Sequence, residues 1–339
     1  MQTEFYELIQ HKWNFYIKSV KKKRKAFLLD TSRGPVFIKC YDSRVKAEWV
    51  ISLSRQLIDN GFKNTLEYYQ TKDDMPYFSY NEKHYVAMKP IHGRDAQYSH
   101  FPDITRTIEC LANFHNHARG IKGGPVLHTS TAPLIDKWED RLFRFNQIIQ
   151  KMRKSKSLHS LDQKILRFSP FILQEAKFTL DLAKRSPLLE EYSYAVAGRH
   201  IAHRDLASHN FLIGSKTYLI DYDTSVYDIQ LVDLIQMVNR VLDQQAWSLD
   251  VFAQMLSIYQ NVVPLSDAQT ALVYLLLRYP DNFMREVIGL YEGNGTVSKK
   301  IDAYLTMIMK CWRERSTFFQ GSRHFFHEGS HRESSSVVS

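Results

Sequence analysis

Only three cysteines, Cys40, Cys110 and Cys311, occur in 339 residues, and they lie far apart. That excludes a disulfide framework and any cysteine-based zinc spacing, and it fits a reducing compartment with structural thiols. Long uncharged apolar runs are also missing, so no segment reaches membrane-spanning length. The first thirteen residues are broken up by Glu4, Glu7, His11 and Lys12, which excludes a signal peptide there and implies cytoplasmic synthesis. Acidic excess is lacking too: 45 Lys and Arg face 36 Asp and Glu, for a net charge of +9. Only Lys21–Lys25 forms an unbroken basic run, without zinc-finger or RNP-like spacing, so nucleic-acid binding is the weakest reading of that charge. A basic surface suits phosphates, an acidic substrate or acidic neighbours equally well.

What is present is ordinary globular material, 44% hydrophobic and rich in Tyr and Phe. The first ninety residues read as strands with one helix. Trp13–Val20, Ala26–Asp30 and Val36–Cys40 are short β-type runs, separated by the basic Lys21–Lys25 turn and by Gly34-Pro35. Val45, Trp49, Val50, Leu53 and Leu57 recur at helical spacing, and Asn60-Gly61 supplies a stop. Strands follow near Tyr77–Tyr80 and Tyr85–Met88. Beyond Asp103 the pattern is mainly helical: 104–118, 134–151, 161–183, 229–242, 248–260, 266–278 and 298–314. Short strands at 200–202, 211–213 and 218–220 interrupt it. The organisation predicted is an N-lobe over 1–90, a C-lobe over 91–319, and a disordered Ser/His/Arg-rich tail over 320–339.

The chemistry-bearing stretch is His203-Arg204-Asp205-Leu206-Ala207-Ser208-His209-Asn210, followed by a strand ending in Asp221. Phosphoryl transfer asks little of a protein beyond positioning and charge neutralisation. One carboxylate must orient an acceptor hydroxyl and take its proton. A neutral oxygen ligand and a second carboxylate must hold Mg²⁺, a hard cation that keeps several waters. Here Asp205 is the candidate base, and Asn210 and Asp221 are the candidate metal ligands. Four fixed residue types at this spacing arise by chance about 0.002 times in such a length.

The HxDxxxxN spacing resembles the catalytic loop of the protein-kinase-like superfamily. His203–Ala207 alone resembles a tyrosine-kinase loop. However, Ile220-Asp221-Tyr222-Asp223 stands in place of Asp-Phe-Gly, no Ala-Pro-Glu segment follows, and Asp228 and Asp233-Leu234 come almost at once. That short return resembles the aminoglycoside phosphotransferase and choline kinase branch, whose acceptors are small hydroxyl compounds. Within it, Leu57–Phe62, Pro90-Ile91-His92-Gly93-Arg94-Asp95, Leu111–His115, Ile220-Asp221-Tyr222-Asp223 and Asp233-Leu234 resemble the CotS-type (YutH- and YsxE-like) endospore coat-associated proteins, over roughly residues 5 to 318.

The resemblance implies an α+β, bilobal protein-kinase-like fold with a small β-rich N-lobe and a larger, mainly helical C-lobe. It implies ATP and Mg²⁺ as cofactors, a hydroxyl acceptor, other spore-coat proteins as partners, and deposition in the endospore coat. Lys39, ending the run Val36-Phe37-Ile38, would meet the nucleotide phosphates. Glu48 would hold Lys39 by an ion pair, and Met88 to Ile91 would form the hinge that offers backbone groups to adenine. Asp223 would assist the metal or cap a turn, and Asp233 would brace the backbone of the catalytic loop. His203 would brace that loop rather than transfer protons. His115 and His117 read as packing or surface residues, and His324, His327 and His331 lie in the tail. One departure bears on activity: the turn Lys21–Lys25, where a glycine loop would cover phosphates, has no glycine. Two readings therefore stand: an ATP/Mg-dependent phosphotransferase, or a weakly active or inactive structural component of the coat.

Overall fold

Val36 and Ile38 alternate with Phe37, Lys39 and Tyr41, and this period of two sends successive side chains to opposite faces of a strand. The computed structural model describes residues 2–23, 26–127, 131–293 and 299–321. Helix α1 (Gln2–Trp13) precedes β1 (Ile17–Lys23), β2 (Ala26–Thr31) and β3 (Gly34–Tyr41); α2 (Arg44–Asp59) then leads to β4 (Tyr68–Tyr69), β5 (Phe78–Tyr80) and β6 (Lys83–Met88). These strands form one antiparallel sheet in the order β1-β2-β3-β6-β4, with β5 also on β6. Its outer face packs Leu29, Val36, Ile38, Phe78 and Ala87 against Ile9 and Trp13 of α1. Its inner face carries Tyr41, Val86 and Met88 toward the buried side of α2, where Val50, Leu53 and Leu57 lie.

Two parts of this arrangement differ from the sequence reading. Trp13–Val20 is not one strand, because Phe5, Ile9 and Trp13 share a helical face that covers the sheet. The basic run is mostly strand rather than turn: Lys21, Lys22 and Lys23 pair with Leu28, Phe27 and Ala26. Arg24 and Lys25 lie outside the described residues, as do His324, His327, His331 and the rest of the tail beyond 321.

The second part opens with β7 (Arg94–Asp95) and continues through α3 (Phe101–His117), α4 (Pro133–Lys154), α5 (Ser160–Lys184) and α6 (Leu188–Ala197). Strands β8 (Ile201–Ala202), β9 (Phe211–Ile213), β10 (Thr217–Leu219) and β11 (Val226–Tyr227) follow. Then come α7 (Gln230–Gln244), α8 (Leu249–Gln260), α9 (Asp267–Leu277), α10 (Asp281–Glu292), α11 (Lys299–Lys310) and α12 (Trp312–Gly321). The sequence pattern missed α6 and α10, and it merged α11 with α12. Pro187 and Pro280 stand directly before the first two and mask their starts. Helix α7 is buried on nearly every side and forms the axis of this core.

The chain enters the second part at β7, which pairs with β9 of that same part. At that crossing a Cβ on Gly214 would stand 2.4 Å from the His92 carbonyl, and one on Gly93 would stand 3.1 Å from Ile213 backbone. Only glycine lets these backbones approach so closely. Arg94 forms a two-pronged ion pair with the buried Asp103 (2.6 and 2.8 Å), which also accepts the Gln97 N–H at 2.9 Å. The contact holds the Asp103 carboxyl far below the usual carboxylate range, and it ties the connection to the start of α3.

Candidate active site

On the inner face of β3, Lys39 reaches across to the segment after β10. Its Nζ lies 2.8 Å from Asp221 Oδ1 and 2.7 Å from Asp223 Oδ1, and the Tyr41 hydroxyl donates to Asp223 at 3.0 Å. Trp49 of α2 donates to the Ser225 carbonyl at 2.9 Å, and Thr65 meets the Tyr222 hydroxyl at 2.7 Å. These contacts clamp the sheet part onto the Asp221–Ser225 segment. Asp221 itself adopts left-handed backbone (φ 70°), which is uncommon for a non-glycine residue. Burial pushes its carboxyl up, but the charge and hydrogen bond of Lys39 outweigh this and hold it below the ordinary value.

Glu48 is not the partner of Lys39. Its carboxylate accepts from Arg44 Nε at 2.9 Å and from the Tyr77 hydroxyl at 3.0 Å. One turn of α2 puts Arg44 directly beside it, and Asp221 and Asp223 take up the Lys39 ammonium instead. Met88 is the buried end of β6, in register with Phe37 on one side and Tyr68 on the other. Next along, the Lys89 N–H is taken by the Glu67 carbonyl at 2.9 Å. Pro90 has no N–H, so Ile91 offers the remaining main-chain donor of this stretch.

The catalytic-type loop is held from below by α7. Asp233, fully buried, accepts the backbone N–H groups of His203 (2.6 Å) and Arg204 (2.7 Å) and faces His115 Nε2 at 3.1 Å. Burial drives the His115 ring toward neutrality, whereas Asp233, although burial pushes it up, is held below its ordinary value by His115 and the loop. A carboxylate only accepts, so Nε2 of His115 donates to it, and Nδ1 accepts from the Tyr259 hydroxyl at 2.7 Å. Gln236 accepts the Leu206 N–H at 2.6 Å, and the Tyr98 hydroxyl donates to the Leu206 carbonyl at 2.9 Å. His203 donates from Nε2 to the Ile220 carbonyl (3.0 Å), and its Nδ1 accepts the Asp205 N–H (3.3 Å).

Braced in this way, Asp205 leaves its side chain 43% exposed, with Arg240 Nη2 at 3.7 Å from Oδ1. Buried Asn210 donates from Nδ2 to the Asp205 carbonyl at 2.8 Å, and its amide oxygen is the atom that can only accept. Its own carbonyl accepts the Ile220 N–H at 2.9 Å, which sets Asn210 beside the residue before Asp221. The amide oxygen of Asn210 and a carboxylate oxygen of Asp221 are hard donors of the kind Mg²⁺ takes. Among the described residues no group of three His, Cys, Asp or Glu side chains could hold a metal. An ion here would draw its remaining ligands from phosphate and water.

Several residues of the site were not singled out from the sequence. Tyr41 lies two residues after Lys39, so strand alternation puts it on the same face. Gln236 and Arg240 follow Asp233, already read as the brace of the loop, at spacings of three and four along α7. That polar stripe is a helical-period signal which a reading for hydrophobic faces passes over.

A sheet part, a helical part and a braced His-x-Asp-x-x-x-x-Asn loop between them define a protein-kinase-like fold of the aminoglycoside phosphotransferase and choline kinase type. The solved structures similar to this chain agree. An aminoglycoside phosphotransferase from Alicyclobacillus acidocaldarius superposes with a TM-score of 0.78 at 17% identity, over 93% of this chain and 95% of its own. Amicoumacin kinase hAmiN, solved in complex with AMP-PNP, Ca²⁺ and Ami, gives 0.56 at 13% identity, over 93% and 94%. A choline/ethanolamine kinase family protein from Mesorhizobium loti gives 0.52 at 13% identity, over 91% and 92%. The chain belongs to the family described as "Spore coat putative kinase YutH", whose model matches residues 6–321.

Proposed function

We propose that this protein is an ATP- and Mg²⁺-dependent phosphotransferase of the endospore coat that acts on a hydroxyl-bearing acceptor. The observation that carries the reading is Lys39 bridging Asp221 and Asp223 while Asp205 stands braced and half exposed. In this reading the nucleotide lies between an N-lobe of residues 1–90 and a C-lobe of residues 91–319. Lys39 neutralises phosphate oxygens, and the main chain near Met88 and Ile91 receives adenine. Asn210 and Asp221 would hold Mg²⁺, which when bound neutralises charge on the transferring phosphoryl group. Asp205 orients the acceptor hydroxyl and takes its proton as the oxygen bonds to the γ-phosphorus. The bond from that phosphorus to the bridging oxygen breaks, and ADP leaves with the electron pair.

A second reading, a coat component that keeps the fold as an assembly surface, is favoured by the glycine-free Lys21–Lys25 run. Two experiments separate the readings. Mg·ATP at millimolar concentration should raise the melting temperature of the wild type and not of Asp221→Ala, since ligand binding stabilises by mass action; no shift in the wild type sinks the phosphotransferase reading. Fractionation of spores should recover the protein with the coat, and its absence there sinks the coat assignment.

A further inference from the structure

Five cations from four separate elements form one connected cluster, which reaches Asp205 through Arg240. Lys137 and Arg141 lie one turn apart on α4, Arg204 precedes the candidate base, Arg240 comes from α7 and Arg285 from α10. Their carboxylate partners are unevenly shared. Arg141 is in contact with Asp281, and Arg285 donates to Glu286 at 2.8 Å. Arg204 reaches Asp228 only at 3.4 Å, and Arg240 reaches Asp205 only at 3.7 Å. Asp205 is no permanent counter-ion if it must take a proton. The Asp228 carboxyl is pushed up to about 6 by burial, which weakens it as a counter-ion.

Two groups stand out within this cluster. The Nε of Arg240 is buried and has no hydrogen-bond partner among the described residues. Lys137 is half-buried and makes no hydrogen bond or ion pair among the described residues, although Asp281, Arg141, Arg204 and Arg285 all act on its charge. Burial, then neighbouring cations, depress the pKa of each: Arg141, Arg204 and Arg285 act on Lys137, and Arg285 acts on Arg240. An unpaired, partly desolvated cation is costly, and an anion that completes its pairing is bound strongly. Choline, the acceptor named for one structural neighbour, is itself a cation and would be repelled here.

We infer that the acceptor is a small hydroxyl compound carrying an anionic group, a carboxylate or a phosphoester, which sits among Lys137, Arg240 and Arg285 with its hydroxyl toward Asp205. The inference rests on the phosphotransferase reading for the role of Asp205, while the anion site itself rests on the cationic cluster. Calorimetric titration of the full chain, without nucleotide, would use glycerol 3-phosphate for the phosphoester arm and D-glycerate for the carboxylate arm. Choline and spectinomycin serve as cationic probes. At least one anionic probe should bind and neither cation should. Lys137→Gln should weaken that binding by about tenfold, the worth of one hydrogen bond to a charged group, and leave Mg·ATP affinity unchanged. Arg240→Gln, read in the same way, is the second variant. Preferential binding of a cation, no binding of either anion, or anion binding untouched by both substitutions overturns the proposal. Mg·ATP binding without anion binding sinks this inference alone; anion binding without Mg·ATP binding sinks the phosphotransferase reading and leaves the anion site standing.

Discussion

Lys39 shows what a single residue does in this site. Its ammonium bridges Asp221 and Asp223, whose carboxylates would otherwise repel, whereas Lys46 reaches only Asp223, at 3.9 Å. Asp221 is therefore held below its ordinary value, so its share of stability is present at neutral pH and fades as the pH falls below about 4. In Lys39→Met the neutral-pH stabilisation should be missing, and urea midpoints measured from pH 7 to pH 3 should show a smaller acid-induced loss than in the wild type. Asp205 carries a different prediction. Its backbone is fixed by His203 and Asn210 while its carboxylate stays half exposed, so Asp205→Asn should fold normally and keep the Mg·ATP thermal shift. Phosphoryl transfer to any acceptor should drop by about 10²–10⁴-fold, the usual contribution of a general base; unchanged turnover would remove Asp205 from that role.

At the scale of elements, α1 and α7 do contrasting work. Helix α1 covers the outer face of the sheet, and Ile9, 1% exposed, sits in that small core with Val36 and Ile38. Ile9→Ala should cost about 2–4 kcal/mol by chemical denaturation, the range for emptying a buried aliphatic site, without touching the cleft. Helix α7 instead turns polar groups toward the loop it supports. Asp233→Asn keeps the size of the side chain but replaces one acceptor oxygen with a donor, facing N–H groups that already need acceptors. The variant should lose about 2 kcal/mol and show faster amide exchange at His203 and Arg204. Exchange rates equal to the wild type would mean the loop is held by Gln236 and Tyr98 instead.

For the molecule as a whole, pH reports on the packing around the cleft. Asp228 is 1% exposed, and burial pushes its carboxyl up to about 6, against about 4 for a solvated Asp. Between those values the folded state binds more protons than the unfolded one, so this group withdraws stability as the pH rises from 4 to 6. Asp228→Asn should flatten that part of the stability profile, by an amount on the order of 2 kcal/mol. A profile parallel to the wild type would show that Arg204 already neutralises the carboxylate.

By itself the sequence determined the local arrangements whose chemistry is written in short spacings. The loop from His203 to Asn210, the strand into Asp221, the alternation around Lys39 and the helix stop at Asn60-Gly61 all follow from periodicity and turn chemistry within a few residues. The β-rich start and helical remainder were legible for the same reason. Tertiary structure decided which distant groups meet. The pairing of Glu48 with Arg44 is local, but only the rotation of α2 adds Tyr77 to it and leaves Lys39 to two aspartates 182 and 184 residues away. Only the packing of α4, α7 and α10 against the loop gathers Lys137, Arg240 and Arg285, each an ordinary basic residue in its own helix. Charge interactions depend on distance and burial rather than on order along the chain, and no local pattern records either.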